Sequence, residues 1–113
     1  MSEHIIILNN DRLGSGNDEL GKVLMKSFLS VVAQDDDLPK EIILYNGGVL
    51  LAKEGADTLE DLKSLADKGV AIKACGTCVS FYEMEDQLAV GEKTNMRYIY
   101  EQQRSHSQVV IPA

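Results

Sequence analysis

The sequence predicts an α/β domain in which a parallel β-sheet is covered on both faces by helices. Two observations carry this. Short runs of β-branched residues appear without polar alternation, the pattern of strands buried on both sides. Each of the first three runs leads through a polar or glycine-rich loop to apolar residues at helical spacing. Such units return the chain to the same side of a sheet, with right-handed crossovers. At 113 residues the chain fits a single domain, residues 1–113, able to bury roughly two-thirds of its unfolded surface without staples.

His4-Ile5-Ile6-Ile7-Leu8-Asn9 reads as a central strand. The loop Asn10 to Gly16 follows, and Asn17 or Asp18 caps a helix whose Leu20, Val23, Leu24, Ser27, Phe28 and Val31 recur at helical spacing. The acidic triplet Asp35-Asp36-Asp37 reads as a solvated connection, and Pro39 prevents the helix from continuing. Glu41-Ile42-Ile43-Leu44-Tyr45-Asn46 is a second strand that again ends in asparagine, followed by Gly47 and Gly48. Val49 to Lys53 fits either a short strand extension or the start of a helix. From Asp57 to Lys68, Leu59, Leu62, Leu65 and Ala66 mark an amphipathic helix, with Thr58 and Asp61 fitting a capping box and Gly69 a C-terminal cap.

Val70 to Ala74 is the third strand, running into Cys75-Gly76-Thr77-Cys78 and a helix near Val79 to Asp86. Leu88-Ala89-Val90-Gly91 offers a short fourth strand. Thr94 or Asn95 then caps a helix through Met96, Ile99 and Tyr100 to about Arg104, and Gln108 to Ile111 is a last strand. In open parallel sheets ligands sit beyond the carboxyl ends of the strands. The loops Asn9 to Gly16, Asn46 to Gly48 and Cys75 to Cys78 should therefore share one edge.

Composition narrows the function. Hydrophobic residues at 44% and charged residues at 26% are the values of a soluble globular chain. A net charge of -7 repels phosphate backbones and anionic lipid, which excludes nucleic acid and a membrane surface as partners. Met1-Ser2-Glu3-His4 has no basic region, and Ile5 to Leu8 is shorter than the roughly 7–15 residues of a signal-peptide core. No run approaches the ~20 apolar residues of a membrane span. The expected location is the cytoplasm, where a Cys-x-x-Cys pair is kept reduced for chemistry or metal binding.

Cys75 and Cys78 are the only cysteines and the strongest nucleophile candidates. At the end of a strand and the start of a helix, unpaired backbone N–H groups and the helix dipole favour a thiolate, the species that sulfur transfer and disulfide exchange require. The plain alternative is a buried Cys75 and a helix-start Cys78, both inert. A structural zinc site would need four ligands, and His4 and His106 supply no compact second pair. Gly14-x-Gly16 has the form of an anion-binding turn, but Glu19 stands where a dinucleotide fingerprint would have a third small residue. Arg12 in that loop either holds an anion near Cys75 or pairs with a neighbouring carboxylate. Tyr82, Tyr98 and Tyr100 have spacings suited to packing or subunit contacts.

Three ordered segments, Asn10-Asp11-Arg12-Leu13-Gly14-Ser15-Gly16-Asn17-Asp18-Glu19-Leu20-Gly21, Cys75-Gly76-Thr77-Cys78 with Phe81-Tyr82, and Gly91-Glu92 with Thr94-Asn95-Met96, together resemble the DsrE/DsrF-like family. Within it they are most similar to the C-terminal domain of YedF-type proteins associated with selenium metabolism. The resemblance covers Ile5 to Ile111. It implies a three-layer α/β/α domain with a five-stranded, mostly parallel sheet, assembled as a homo-oligomer, a trimer or hexamer.

The resemblance also implies sulfur relay by cysteine persulfide, with Cys75 at the acceptor position and Cys78 belonging to the YedF-like motif. YedF-type proteins carry a preceding TusA-like sulfur-carrier domain with a Cys-Pro motif that these 113 residues do not show, which leaves open whether a separate TusA-like protein is the partner that supplies the sulfur or selenium. The leading expectation is a sulfur- or selenium-handling protein without cofactor or metal. In it Cys75 accepts sulfane sulfur, Cys78 resolves or tunes it, Gly76 and Thr77 stabilise the thiolate, and Arg12 and Asn46 line the cleft. The alternatives are an oligomeric module binding a small anionic or nucleotide-like ligand through Gly14 to Gly16 and Gly47-Gly48, and a dithiol redox switch.

Overall fold

The structure is a computed structural model describing residues 3–113; Met1 and Ser2, which enter the reading of the N-terminus, lie outside them. Five strands form a single sheet: β1 (Ile5–Leu8), β2 (Glu41–Leu44), β3 (Ala71–Cys75), β4 (Glu92–Thr94) and β5 (Val109–Val110). Their order is β4-β3-β2-β1-β5, and every pairing is parallel. The helices are α1 (Asp18–Gln34), α2 (Leu59–Asp67), α3 (Gly76–Phe81) and α4 (Met96–Ser105), with a 3-10 helix at Asn46–Ala52. This is the α/β architecture expected, a five-stranded parallel sheet between helices.

The strand residues alternate between two apolar layers. Ile6, Leu8, Ile42, Leu44, Ile72 and Ala74 face the larger core, where Met25, Leu29 and Ala33 of α1 meet Leu62 and Leu65 of α2. Ile5, Ile7, Ile43 and Cys75 face the other side, where Ile99 is the buried residue of α4. This second face also carries polar groups. Glu41, at the start of β2, is buried, and its Oε1 has no hydrogen-bond partner. Burial, together with a hydrogen bond to Glu41, pushes the Tyr98 phenol of α4 up to about 12. Lys73 lies 5.7 Å from the Tyr98 ring centre and pairs with Glu92 at 2.9 Å.

Several local readings change. The fourth strand is Glu92–Thr94; Leu88 makes only an isolated antiparallel bridge to Lys53. An exposed edge strand needs no apolar run, so the pattern pointed to the wrong segment. Helix α3 stops at Phe81, well short of Asp86, because Glu83 adopts a left-handed φ of 55°. The amides of Glu83 and Met84 then bond back to Ser80 and Val79, and Met84 enters the core.

Thr58 heads α2 without the expected capping box. Its hydroxyl donates instead to the Leu51 carbonyl at 2.7 Å, and Asp61 pairs with Lys26 at 3.2 Å. Gly69 ends the helix as expected, at φ 97°, with Val70 bonding back to Leu65. In α1 the inward stripe is Gly21, Met25, Leu29 and Ala33, one residue on from Leu20, Leu24 and Phe28. Leu20, Val23, Leu24 and Val31 are left exposed.

Candidate functional site

Parallel pairing puts the loops after β1, β2 and β3 on one edge, and two of them form a site. The 3-10 helix begins at Asn46, whose φ of 50° is left-handed, a conformation that asparagine tolerates better than most residues. Its amide donates to the Cys78 Sγ across 3.1 Å. Cys78 stands in the first turn of α3, and Phe81 and Tyr82, three and four residues later, share its face. Asn46, Thr77, Cys78, Phe81 and Tyr82 line an open, mostly apolar cavity of about 290 Å³. Tyr82 completes the link by donating its hydroxyl to Asn46 Oδ1 at 3.5 Å.

The two cysteines are placed differently. Cys75 ends β3 with 4% exposure, packed with Ile5, Ile7, Ile43 and Ile99. This burial is contrary to the reachable thiol expected at Cys75; the partly exposed thiol is Cys78. Both are free thiols and hydrogen-bond to each other. The expected depression of the thiol pKa is also reversed. Burial, and then the hydrogen bond with Cys75, push the Cys78 thiol up, opposed by the Asn46 amide that favours the thiolate. A helix of six residues has little dipole to offset burial.

The remaining predicted residues divide. Gly76 begins α3, where an added Cβ would lie 3.2 Å from the Thr94 carbonyl, so it serves close packing of α3 on β4. A Cβ on Gly47 would lie 3.3 Å from Asn10 Oδ1, which places Gly47 where the first two loops touch. Arg12, Gly14 and Gly16 belong elsewhere. Arg12 Nη1 holds Asp18 at 2.7 Å and its Nε holds Asp11 at 3.2 Å, so the guanidinium is paired with carboxylates of its own loop and helix start.

Arg12 and Gly14 line a separate cavity of about 230 Å³ with Asn9, Asn10, Ser15, Pro112 and Ala113. Gly16, at φ 142°, is an exposed turn residue before the Asn17 cap. Sequence reasoning misses Phe81 and reads Tyr82 as a packing residue; their spacing from Cys78 on a helix is the signal available.

No protein-family model matches the sequence, and no curated protein matches it. Solved structures do match its fold. A protein of unknown function from Methanobacterium thermoautotrophicum superimposes with a TM-score of 0.72 at 19% identity, over 98% of this chain and 100% of that one. The ychN protein from E. coli gives 0.70 at 16% identity, over 98% and 99%. A conserved protein of unknown function from Bacteroides thetaiotaomicron gives 0.67 at 13%, over 96% and 94%. At these identities the likeness shows a shared fold, which fits the DsrE-like architecture that the motifs imply. Among the described residues no helix is long and apolar enough to cross a membrane, and no group of three His, Cys, Asp or Glu could hold a metal.

Proposed function

We propose that this protein handles sulfane sulfur, or selenium in its place, as a persulfide in the cytoplasm, with Cys78 as the receiving thiol and Cys75 as the buried thiol behind it. One observation carries the reading: the Cys78 sulfur borders an apolar cavity while accepting the Asn46 amide. The resemblance places the acceptor at Cys75; its burial favours Cys78 instead. In the step, the Cys78 thiolate attacks the outer sulfur of a donor persulfide R–S–SH. The donor S–S bond breaks, R–S⁻ leaves and is protonated, and Cys78–S–SH forms with no net oxidation.

The cavity lining holds no basic side chain, so the surroundings favour a neutral donor surface over a small anion. A TusA-like carrier protein is the donor this reading expects, acting on a single DsrE-like domain within a homo-oligomer. Because the Cys78 thiol is raised, transfer should quicken as pH rises towards its pKa.

Intact mass spectrometry after incubation with a persulfide donor tests the assignment. Wild type should gain +32 Da, roughly one sulfur atom, retained in Cys75→Ser and lost in Cys78→Ser. The opposite pattern would return the receiving role to Cys75, and no adduct on either thiol would remove the function. A dithiol switch would instead show loss of two hydrogens without added sulfur.

A further inference from the structure

The two thiols hold paired positions at the start of α3. Cys75 is the cap residue and Cys78 the third residue within the helix, places whose side chains meet across the first turn, as in a capping box. Their separation is about one turn, 5.4 Å, inside the roughly 4.4–6.8 Å Cα spacing that a disulfide spans.

The Cys78 sulfur therefore has two unlike sides. On the core side it packs against Cys75 and the isoleucines around it, and the two thiols hydrogen-bond. On the other side lies the open cavity of about 290 Å³ with Phe81 and Tyr82. A sulfur atom added to Cys78 extends into that cavity, because the core side is already filled. The inner sulfur stays against the Cys75 thiol.

We infer that the loaded site discharges from within: Cys75 attacks the inner sulfur of the Cys78 persulfide and expels sulfide into the cavity. Nucleophile and leaving group stand on opposite sides of the sulfur attacked, as exchange at sulfur requires. The bond between Cys78 Sγ and the outer sulfur breaks as the Cys75–Cys78 disulfide forms. The outer sulfur takes the electron pair and the proton that Cys75 gives up, and it leaves as H2S. It is reduced while the two cysteine sulfurs are oxidised, so no outside oxidant enters. A dithiol reductant attacking the partly exposed Cys78 half of the disulfide restores both thiols. An external acceptor meets the outer sulfur first and carries it away as sulfane sulfur, whereas the buried thiol turns the same carrier into a source of sulfide. The reaction that follows is then one that consumes inorganic sulfide.

This discharge rests on the persulfide reading of Cys78, and a single turnover separates the two. Reduced wild type is loaded with glutathione persulfide, desalted and incubated without reductant while intact mass and free sulfide are followed. The loaded mass should fall by roughly 34 Da, one H2S, as one sulfide appears per chain. In Cys75→Ser and Cys75→Ala the adduct should form and decay at least about tenfold more slowly, because the neighbouring nucleophile is gone.

Should neither variant fold, wild type alone decides: the peptide carrying both cysteines should end two hydrogens light, in step with the sulfide released. A wild-type adduct that persists, a decay unchanged in a folded Cys75 variant, or sulfide released without the disulfide would overturn the discharge and leave the persulfide reading standing. Absence of any adduct in wild type and in both variants would overturn both.

Discussion

The two faces of the sheet are built from the same strands and serve different ends. One face meets α1 and α2 through a broad layer of aliphatic side chains. The other is covered by α4 with a single fully buried residue, Ile99, and admits Glu41, Lys73 and Cys75 among its isoleucines. The difference shows how a parallel sheet can divide stability from chemistry. Period-two alternation lets one strand supply Ala74 to the dense layer and Cys75 to the thin one.

The contrast can be broken most decisively at the thiols. Iodoacetamide labelling of the native protein, read by peptide mass, should modify Cys78 while Cys75 lags on the order of 10³-fold, because reaching Cys75 requires opening the layer over it. Equal rates would mean that the thin layer does not shield. For Cys78 itself the labelling rate should climb steeply above neutral pH, following a raised thiol pKa.

On the dense face, Leu29→Ala should cost roughly 3 kcal/mol by urea unfolding, because the side chain is fully buried among others that cannot close the gap. Ile99→Ala should cost less, as α4 can settle inwards; an equal or larger loss would show the thin face to be as tightly packed as the dense one.

A smaller effect sharpens the comparison at Tyr98. Tyr98→Phe removes a hydroxyl bonded to buried Glu41 and should destabilise by about 1.5 kcal/mol. Absorbance near 295 nm should find the wild-type phenol titrating at about 12, with a lower midpoint in Glu41→Gln, where the charge that favours the neutral phenol is gone. A raised pKa means that the neutral form is the one the fold prefers. Its contribution is intact below the free tyrosine value near 10 and is lost as pH rises towards 12. The smallest change is expected from Phe81→Ser, under about 0.5 kcal/mol, since Phe81 is 79% exposed. A larger loss in thermal unfolding would show that its edge contact with Tyr82, at 5.3 Å, holds α3 together.

The sequence made the strands of the dense interior legible because continuous aliphatic runs have few other uses. The edge strand Glu92–Thr94 was not legible: its side chains are largely exposed, and backbone pairing with β3 defines it. The two apolar stripes of α1 are adjacent, and only the docking of α2 selects the Met25–Leu29 one. The Cys75–Cys78 junction was located from sequence, but the accessibility of each thiol was not. That depends on strand register and on Ile99, which arrives from more than twenty residues further along the chain. The pairing of Arg12 with Asp11 and Asp18 was one of two outcomes that its acidic surroundings left open.

Gly48 gives the cavity walls unequal freedom to change. A Cβ there would fall 1.9 Å from the Leu8 carbonyl oxygen, so the segment carrying Asn46 rests directly on the main chain of β1. Substitution can re-contour the Phe81 and Tyr82 side at small cost to folding. The amide facing Cys78 belongs to the frame itself. A lineage of such proteins could therefore alter what approaches the sulfur far more readily than the dipole that greets it.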